Sequence, residues 1–270
     1  MAERTRLDIL VCRQGLAPSR AQARALVLAG KIAVDGQRIT RAGTQFPPHA
    51  KLTRLGSNKR YVSRGGGKLA AALEAFPIEV TQCIAMDVGA STGGFTDCLL
   101  QYGAARVYAV DVGYGQLHWQ LRTDSRVVVY ERTNARYLKP SEIPERIALL
   151  TVDASFISLR LLLPVLIELL TSPADAIVLI KPQFEVGKDQ VGKGGVVRDA
   201  MLHYQALHDV LTVAQSCGFS VLQGIVSPLL GPKGNREFLV HLRVGVSPLS
   251  AVSVPELCTH LSQGDQPISS

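Results

Sequence analysis

The stretch Cys83-Ile-Ala-Met-Asp-Val-Gly-Ala-Ser-Thr-Gly-Gly-Phe95 decides how the rest of the chain reads. Cys83 to Met86 has the apolar, β-prone character of a strand. Asp87 to Phe95 then forms a glycine-rich turn that opens a helix, with Asp97 expected in its first turn. Glycines at such a turn let a ligand approach the backbone closely. The residues from Gly89 onward, Gly-Ala-Ser-Thr-Gly-Gly, do not meet the G-x-G-x-x-G pattern of nicotinamide sites. The next strand ends at Asp111, 22 residues after Gly89. A carboxylate there can accept hydrogen bonds from both hydroxyls of a nucleoside ribose. Asp87, Gly89, Ala90, Ser91, Thr92, Gly93, Gly94 and Asp111 are therefore expected to form a cofactor site suited to the adenosine part of S-adenosyl-L-methionine. Asn134, just after the third strand, is either a contact to the adenine edge or an ordinary turn residue.

Outward from this loop, strand-like runs recur at Arg106 to Val110, Val127 to Tyr130, Ile147 to Val152, Ala176 to Ile180, Val221 to Val226 and Glu237 to Leu242, mostly separated by helical patterns. This alternation predicts an α/β fold: a Rossmann-like, mostly parallel seven-stranded sheet with helices on both faces. Ligands in such folds bind beyond the carboxyl ends of the strands. Asp153 closes Leu149-Leu-Thr-Val152, and Lys181 closes Ala176-Ile-Val-Leu-Ile180 before Pro182 stops the strand. A carboxylate and an ammonium are thus expected at successive strand ends. A ribose 2′-hydroxyl is a poor nucleophile, and a positioned base or cation helps to remove its proton as it attacks a methyl donor. Taken one at a time, a strand-end lysine is more often snorkelling and a strand-end aspartate more often a helix cap. Lys68 follows a triple glycine expected as a phosphate-holding loop before a helix from Leu69 to Phe76, so it is read as either a backbone contact to RNA or a proton-handling group. Glu237 has the alternative of a surface pair with Arg236 or Arg243. The glycine-rich segment Gln183 to Arg198, with Lys188 and Lys193, is expected to be a cationic loop near Lys181.

The charge is unevenly placed. Residues 1 to 64 hold 13 Lys or Arg against 3 acids (+10), and the remainder holds 16 against 19 (−3). A concentrated positive charge suits a polyanionic partner, because each neutralised phosphate releases counterions. Pro18-Ser19 precedes a helical pattern from Arg20 to Ala29 that Gly30 ends, with Ala21, Ala25 and Leu28 read as the core face and Arg20 and Arg24 on one outer face. Lys31-Ile-Ala-Val34 and Gln37-Arg-Ile39 flank Asp35-Gly36, a hairpin signal. Pro47-Pro48 and Gly56 to Arg60 suggest a connection, so the boundary falls near residue 60. The expected organisation is a small α+β RNA-binding domain over 1–60, a catalytic domain over 61–245 and a tail over 246–270 with no assignable chemistry.

Composition excludes several classes. Cys12, Cys83, Cys98, Cys217 and Cys258 are widely spaced and form no C-x-x-C pair, and the histidines, including His118 and His241, show no metal spacing, so no metal is expected. The charged start lacks a secretory apolar run, and the longest apolar segment, Ile157 to Leu170, is interrupted by Arg160, Pro164 and Glu168. A cytoplasmic protein without stable membrane insertion is expected.

The N-terminal pattern, Arg6-Leu-Asp-Ile-Leu-Val with Ser19-Arg-x-x-Ala-x-x-Leu-Val, resembles the RNA-binding domain of ribosomal small-subunit protein four. Arg6, Arg20, Arg24, Lys31 and, beyond the domain, Arg64 are its expected RNA contacts. Arg64-Gly-Gly-Gly-Lys-Leu69, Asp87 to Thr96, Val152-Asp-Ala-Ser-Phe156, Ile180-Lys-Pro-Gln-Phe-Glu185 and Gly234-Asn-Arg-Glu-Phe238 together resemble the TlyA family, whose catalytic domain is similar to FtsJ-type ribose methyltransferases. The resemblance implies a catalytic tetrad of Lys68, Asp153, Lys181 and Glu237, S-adenosyl-L-methionine as cofactor, and methyl transfer to the 2′-hydroxyl of cytidine in ribosomal RNA or ribosomal subunits. Two other readings remain: a non-catalytic RNA-binding or assembly factor, and a haemolysin-like membrane-active protein, a name that circulates for the family. A base methyltransferase is disfavoured by the absence of N-P-P-Y, D-P-P-Y and Pro-Cys sequences.

Overall fold

The computed structural model describes residues 4–55, 60–246 and 251–264; all but Arg60 of the expected connection from Gly56 to Arg60, and parts of the expected tail, lie outside the described residues. The chain forms two compact units, Met1–Lys59 and Arg60–Ser270.

In the first unit, α1 (Leu7–Arg13) and α2 (Arg20–Leu28) pack with short strands: β1 (Thr5–Arg6), β2 (Ile32–Val34), β3 (Gln37–Ile39), β4 (Gln45–Phe46) and β5 (Leu52–Arg54). Ser19 caps α2 by accepting a hydrogen bond from Gln22 N. The hairpin turns as its sequence requires: Asp35 and Gly36 both adopt positive φ, 49° and 84°, the conformation of a two-residue primed turn. Some features were not anticipated, the antiparallel pairing of β1 with β4 among them. The strand β5 adds to β2, making a three-stranded sheet. The buried face of α2 is also rotated from the expected one: Ala23 and Val27 are buried and Leu26 packs partly against them, while Ala21, Ala25 and Leu28 are exposed. Ala23, Leu26 and Val27 follow the i, i+3, i+4 spacing of a core stripe just as well, and contact with Leu7, Leu10 and Val11 of α1 selects them.

The second unit is built on α3 (Arg64–Ala75), β6 (Ile84–Val88), α4 (Gly94–Gln101), β7 (Arg106–Val110), α5 (Trp119–Arg122), β8 (Val127–Tyr130), β9 (Ile147–Val152), α6 (Leu159–Leu166), β10 (Leu170–Ile180), α7 (Pro182–Glu185), α8 (Ala200–Ser216), β11 (Ser220–Val226), β12 (Phe238–Val244) and α9 (Val254–Gln263). The sheet order is β11-β12-β10-β9-β6-β7-β8, seven strands with β12 antiparallel to both neighbours and the remaining pairs parallel. The two-residue alternation of a strand divides the core into two layers. Met86, Val88, Val110, Leu150, Val152, Val178 and Val240 pack with α6, α8 and α9, while Ala85, Val107, Ala109, Leu149, Ile177 and Leu239 pack with α3, α4 and α5. The segment expected as a tail is corrected in part: α9 places Val254, Leu257, Cys258 and Leu261 in the core.

The triple glycine is also corrected. Gly65, Gly66 and Gly67 lie inside the first turns of α3, capped by Ser63, whose hydroxyl accepts a hydrogen bond from Gly65 N. A Cβ on Gly66 would meet Tyr61 at 2.3 Å, and one on Gly94 would meet Gly66 N at 2.8 Å. The glycines let α3, α4 and Tyr61 approach closely, in place of a phosphate-holding loop.

Candidate active site

Strand register assembles the site. Val88 pairs with Val110 and Val152, Val152 with Val178, and Ile180 with Phe238. Residues just past these pairs fall on one edge of the sheet in the spatial order Glu237, Lys181, Asp153, Gly89, Asp111. At ~4.8 Å per strand the row spans roughly 19 Å, about the length of a nucleoside cofactor together with its acceptor.

Two ion pairs occupy one end of this row. Lys181 Nζ lies 2.6 Å from Asp153 Oδ1 and donates to Ser155 Oγ at 2.8 Å and to Asp153 O at 3.4 Å. Lys68, on the buried face of α3, donates to Glu237 Oε2; both side chains are nearly inaccessible to solvent. The surface pairing of Glu237 with Arg236 or Arg243 is thereby replaced by a buried one. Each buried charge is matched by its opposite, which desolvation demands. Ser155, which the sequence reading left without a role, follows Asp153 at the strand end, and that position was the available signal.

Beside Asp153 opens a cavity of about 800 Å³ lined by Gly89, Ser91, Asp111, Asn134 and the segment Asp153 to Ser158, with Val88, Val110, Ala135 and Leu162 as apolar walls. Asp111 accepts hydrogen bonds from Ser91 N and Gly113 N, both at 2.7 Å. A carboxylate has about four acceptor positions, so lone pairs remain for a ligand. Asn134 lines the cavity, and in the turn role considered for it its side-chain oxygen accepts from Arg136 N at 3.1 Å. Gly89 adopts φ 85°, and a Cβ there would sit 2.6 Å from Asp153 O. This glycine lets the loop after β6 close against the strand end that bears Asp153.

The other loop residues are placed differently. Ala90, Thr92, Gly93 and Gly94 do not line the cavity. Gly93 sits against Leu117 and Leu121, where a Cβ would meet side chains at 2.8 and 2.2 Å, and Gly94 packs against α3. Asp87 is corrected as a direct contact: β6 continues through it to Val88, and it is fully buried. Its Oδ2 accepts from Thr96 N at 2.9 Å and Thr96 Oγ1 at 2.7 Å, pinning the first turn of α4 from below. Burial pushes the Asp87 carboxyl up to about 7, against the hydrogen bonds from Thr96. At the cavity rim Phe156 is 91% exposed with φ 64° and rests on Phe184 at 5.1 Å between centroids.

Of the expected RNA contacts, Arg64 is exposed and donates to Leu230 O at 3.0 Å. In the first unit, Arg6 and Arg20 converge on the buried carboxylate of Asp8 at 3.1 and 3.0 Å, so each has a structural duty besides any to RNA. Arg6, by its hydrogen bond, holds the Asp8 carboxyl below its ordinary range. Arg24 and Lys31 are exposed. Among the described residues no group of His, Cys, Asp or Glu could hold a metal ion, and no helix is long and apolar enough to cross a membrane.

Comparison with known proteins gives the family of each unit. Residues 61–244 match the FtsJ-like methyltransferase family and residues 5–51 match the S4 domain. The chain is 50% identical to the 16S/23S rRNA (cytidine-2′-O)-methyltransferase TlyA of Mycobacterium tuberculosis, over 90% of this chain and 91% of that protein. It is 40% identical to Hemolysin A of Brachyspira hyodysenteriae, over 87% of this chain and 98% of the relative. A solved structure of a provisionally named hemolysin from Streptococcus thermophilus is 42% identical, with a TM-score of 0.73 over 97% of this chain and 96% of that one.

Proposed function

The chain belongs to the TlyA group of FtsJ-like methyltransferases, and on that premise we propose that it transfers a methyl group from S-adenosylmethionine to the 2′-hydroxyl of a cytidine in ribosomal RNA. The observation that carries this reading is the Lys181–Asp153 pair, whose Asp153 lines a cavity bounded further along the sheet edge by Asp111. The cavity's volume is in the range of small-molecule sites. Its apolar walls suit an adenine ring, and Asp111 suits ribose hydroxyls. Gly89, Ser91, Asp111 and Asn134 are the residues that would hold the cofactor, with Asp87, Gly93 and Gly94 shaping the loop from behind.

When bound, S-adenosylmethionine supplies an electrophilic methyl on a sulfonium. The protein's own task is to present the acceptor oxygen in line with that methyl and to remove its proton. Lys181 would orient the 2′-hydroxyl, and the Lys181–Asp153 pair would take up its proton as the methyl is transferred. The buried Lys68–Glu237 pair fixes the neighbouring strand end, so that Lys181 is flanked by matched charges on both sides. The S4 domain in the first unit, with Arg6, Arg20, Arg24 and Lys31, holds structured RNA, with Arg64 as a further contact on the second unit. A ribosomal RNA substrate implies work in the cytoplasm.

The test is transfer of labelled methyl groups to ribosomal subunits lacking the modification, followed by nuclease digestion to locate the label. Lys181→Ala is expected to lower kcat by about 10²-fold or more while leaving S-adenosylmethionine affinity within a few-fold. Label on a base, or none in wild type, overturns the reading.

A further inference from the structure

Glu185 is a buried carboxylate that the chemistry above does not use. It ends α7, four residues beyond Lys181, and its side chain is only 2% exposed. Oε1 accepts from Leu159 N at 2.9 Å, and Oε2 accepts from Ser158 Oγ at 2.5 Å. Ser158 Oγ itself accepts from Arg160 N and Arg160 Nε, both at 3.1 Å. With its lone pairs so engaged, the hydroxyl has only its proton to offer Glu185, and the site therefore requires an acceptor at that oxygen. Arg160 also donates to Glu185 O at 3.0 Å.

These contacts belong to a longer register between two segments. Lys181 meets Asp153 and Ser155, Phe184 meets Phe156, and Glu185 meets Ser158 and Leu159. Successive residues of the turn after β10 are matched in order with successive residues after β9. The second segment is the wall of the cavity, which continues from Asp153 through Ser158 to Leu161 and Leu162 at the start of α6. The Glu185 side chain is less exposed than that of Lys181 at the other end of the register.

We propose that Glu185 is a positioning residue that locks the cofactor-side wall, from Asp153 to the first turn of α6, onto the turn bearing Lys181, so that the cofactor pocket and the Lys181–Asp153 pair are set by one clamp. This rests on the functional reading above. Glu185→Gln keeps the size and one acceptor but turns an N–H toward a hydroxyl that can only donate. Such a mismatch at a buried site is costly. Ser158→Ala removes the hydroxyl and leaves Glu185 in place, a milder break in the same contact.

Binding of S-adenosylmethionine to the full chain is measured by calorimetry, with methyl transfer to unmodified subunits alongside, well below each variant's melting temperature. Glu185→Gln is expected to raise Kd for S-adenosylmethionine about tenfold and to lower kcat about tenfold, with KM for the subunits within about twofold of wild type. Ser158→Ala is expected to move Kd and kcat in the same direction by a smaller factor, and it decides the matter if Glu185→Gln does not fold. Kd and kcat both at wild-type values in a folded variant overturn the clamp. Absence of transfer by wild type overturns the functional reading instead, while a variant-specific loss of cofactor affinity still supports the clamp.

Discussion

Asp87 shows how a single residue can be singled out for one reason and used for another. Its neighbours Val88 and Gly89 reach the cavity, but Asp87 faces Thr96 and Thr151 inside the sheet. Because burial holds its carboxyl at about 7, the folded protein keeps a proton that the unfolded chain releases between about pH 4 and about pH 7. The folded pKa is raised, so the stability from this site is present at low pH and is lost as pH rises through that window. Asp87→Asn imitates the protonated form: its oxygen accepts from Thr96, and its amide donates toward Thr151 Oγ1. From about pH 5 to about pH 8 the melting temperature of the variant should therefore fall less than that of wild type. Parallel melting curves for the two proteins would refute the assignment. The residue type and motif were legible in the sequence; which way the side chain points was not, because that depends on β6 continuing two residues beyond Met86.

At the scale of the element, α2 carries the same lesson. Its length, cap and stop were legible because Ser19 and Gly30 act locally. Its buried face was not, because Ala21-Ala25-Leu28 and Ala23-Leu26-Val27 are both acceptable stripes until α1 is packed against one of them. Val27→Ala should cost the first unit about 1.5–3 kcal/mol, whereas Leu28→Ala, at a position 59% exposed, should change it by less than about 0.5 kcal/mol. Urea titration of the full chain distinguishes them, and a larger cost at Leu28 would restore the face expected from sequence. The helix α3 is a second example. Its glycines read as a loop because glycine disfavours helix, and only the closeness of Tyr61 and Gly94 shows why Gly66 must be one of them.

For the whole molecule, the concentration of positive charge before residue 64 predicts binding that weakens steeply with salt. Arg24, exposed on α2, should contribute to that slope without supporting the fold. Arg24→Ala is expected to reduce the slope of log K against log salt by roughly 1, with an unchanged melting temperature. Arg20→Ala should lower the melting temperature as well, since it strips a partner from buried Asp8. An unchanged salt slope in both variants would remove α2 from the RNA interface. The sequence by itself determined the sheet with its alternating helices, the strand-end positions of Asp111, Asp153 and Lys181, and the asymmetry of charge, because strand period, turn chemistry and composition act over a few neighbouring residues. Only the tertiary structure decided that Lys68 pairs with Glu237, that Asp87 and Gly94 support the loop after β6 from behind, and that Glu185 meets Ser158 and Leu159 of the cavity wall. Those pairings join residues up to 169 positions apart, and their partners are chosen by strand order and packing, which no local pattern encodes.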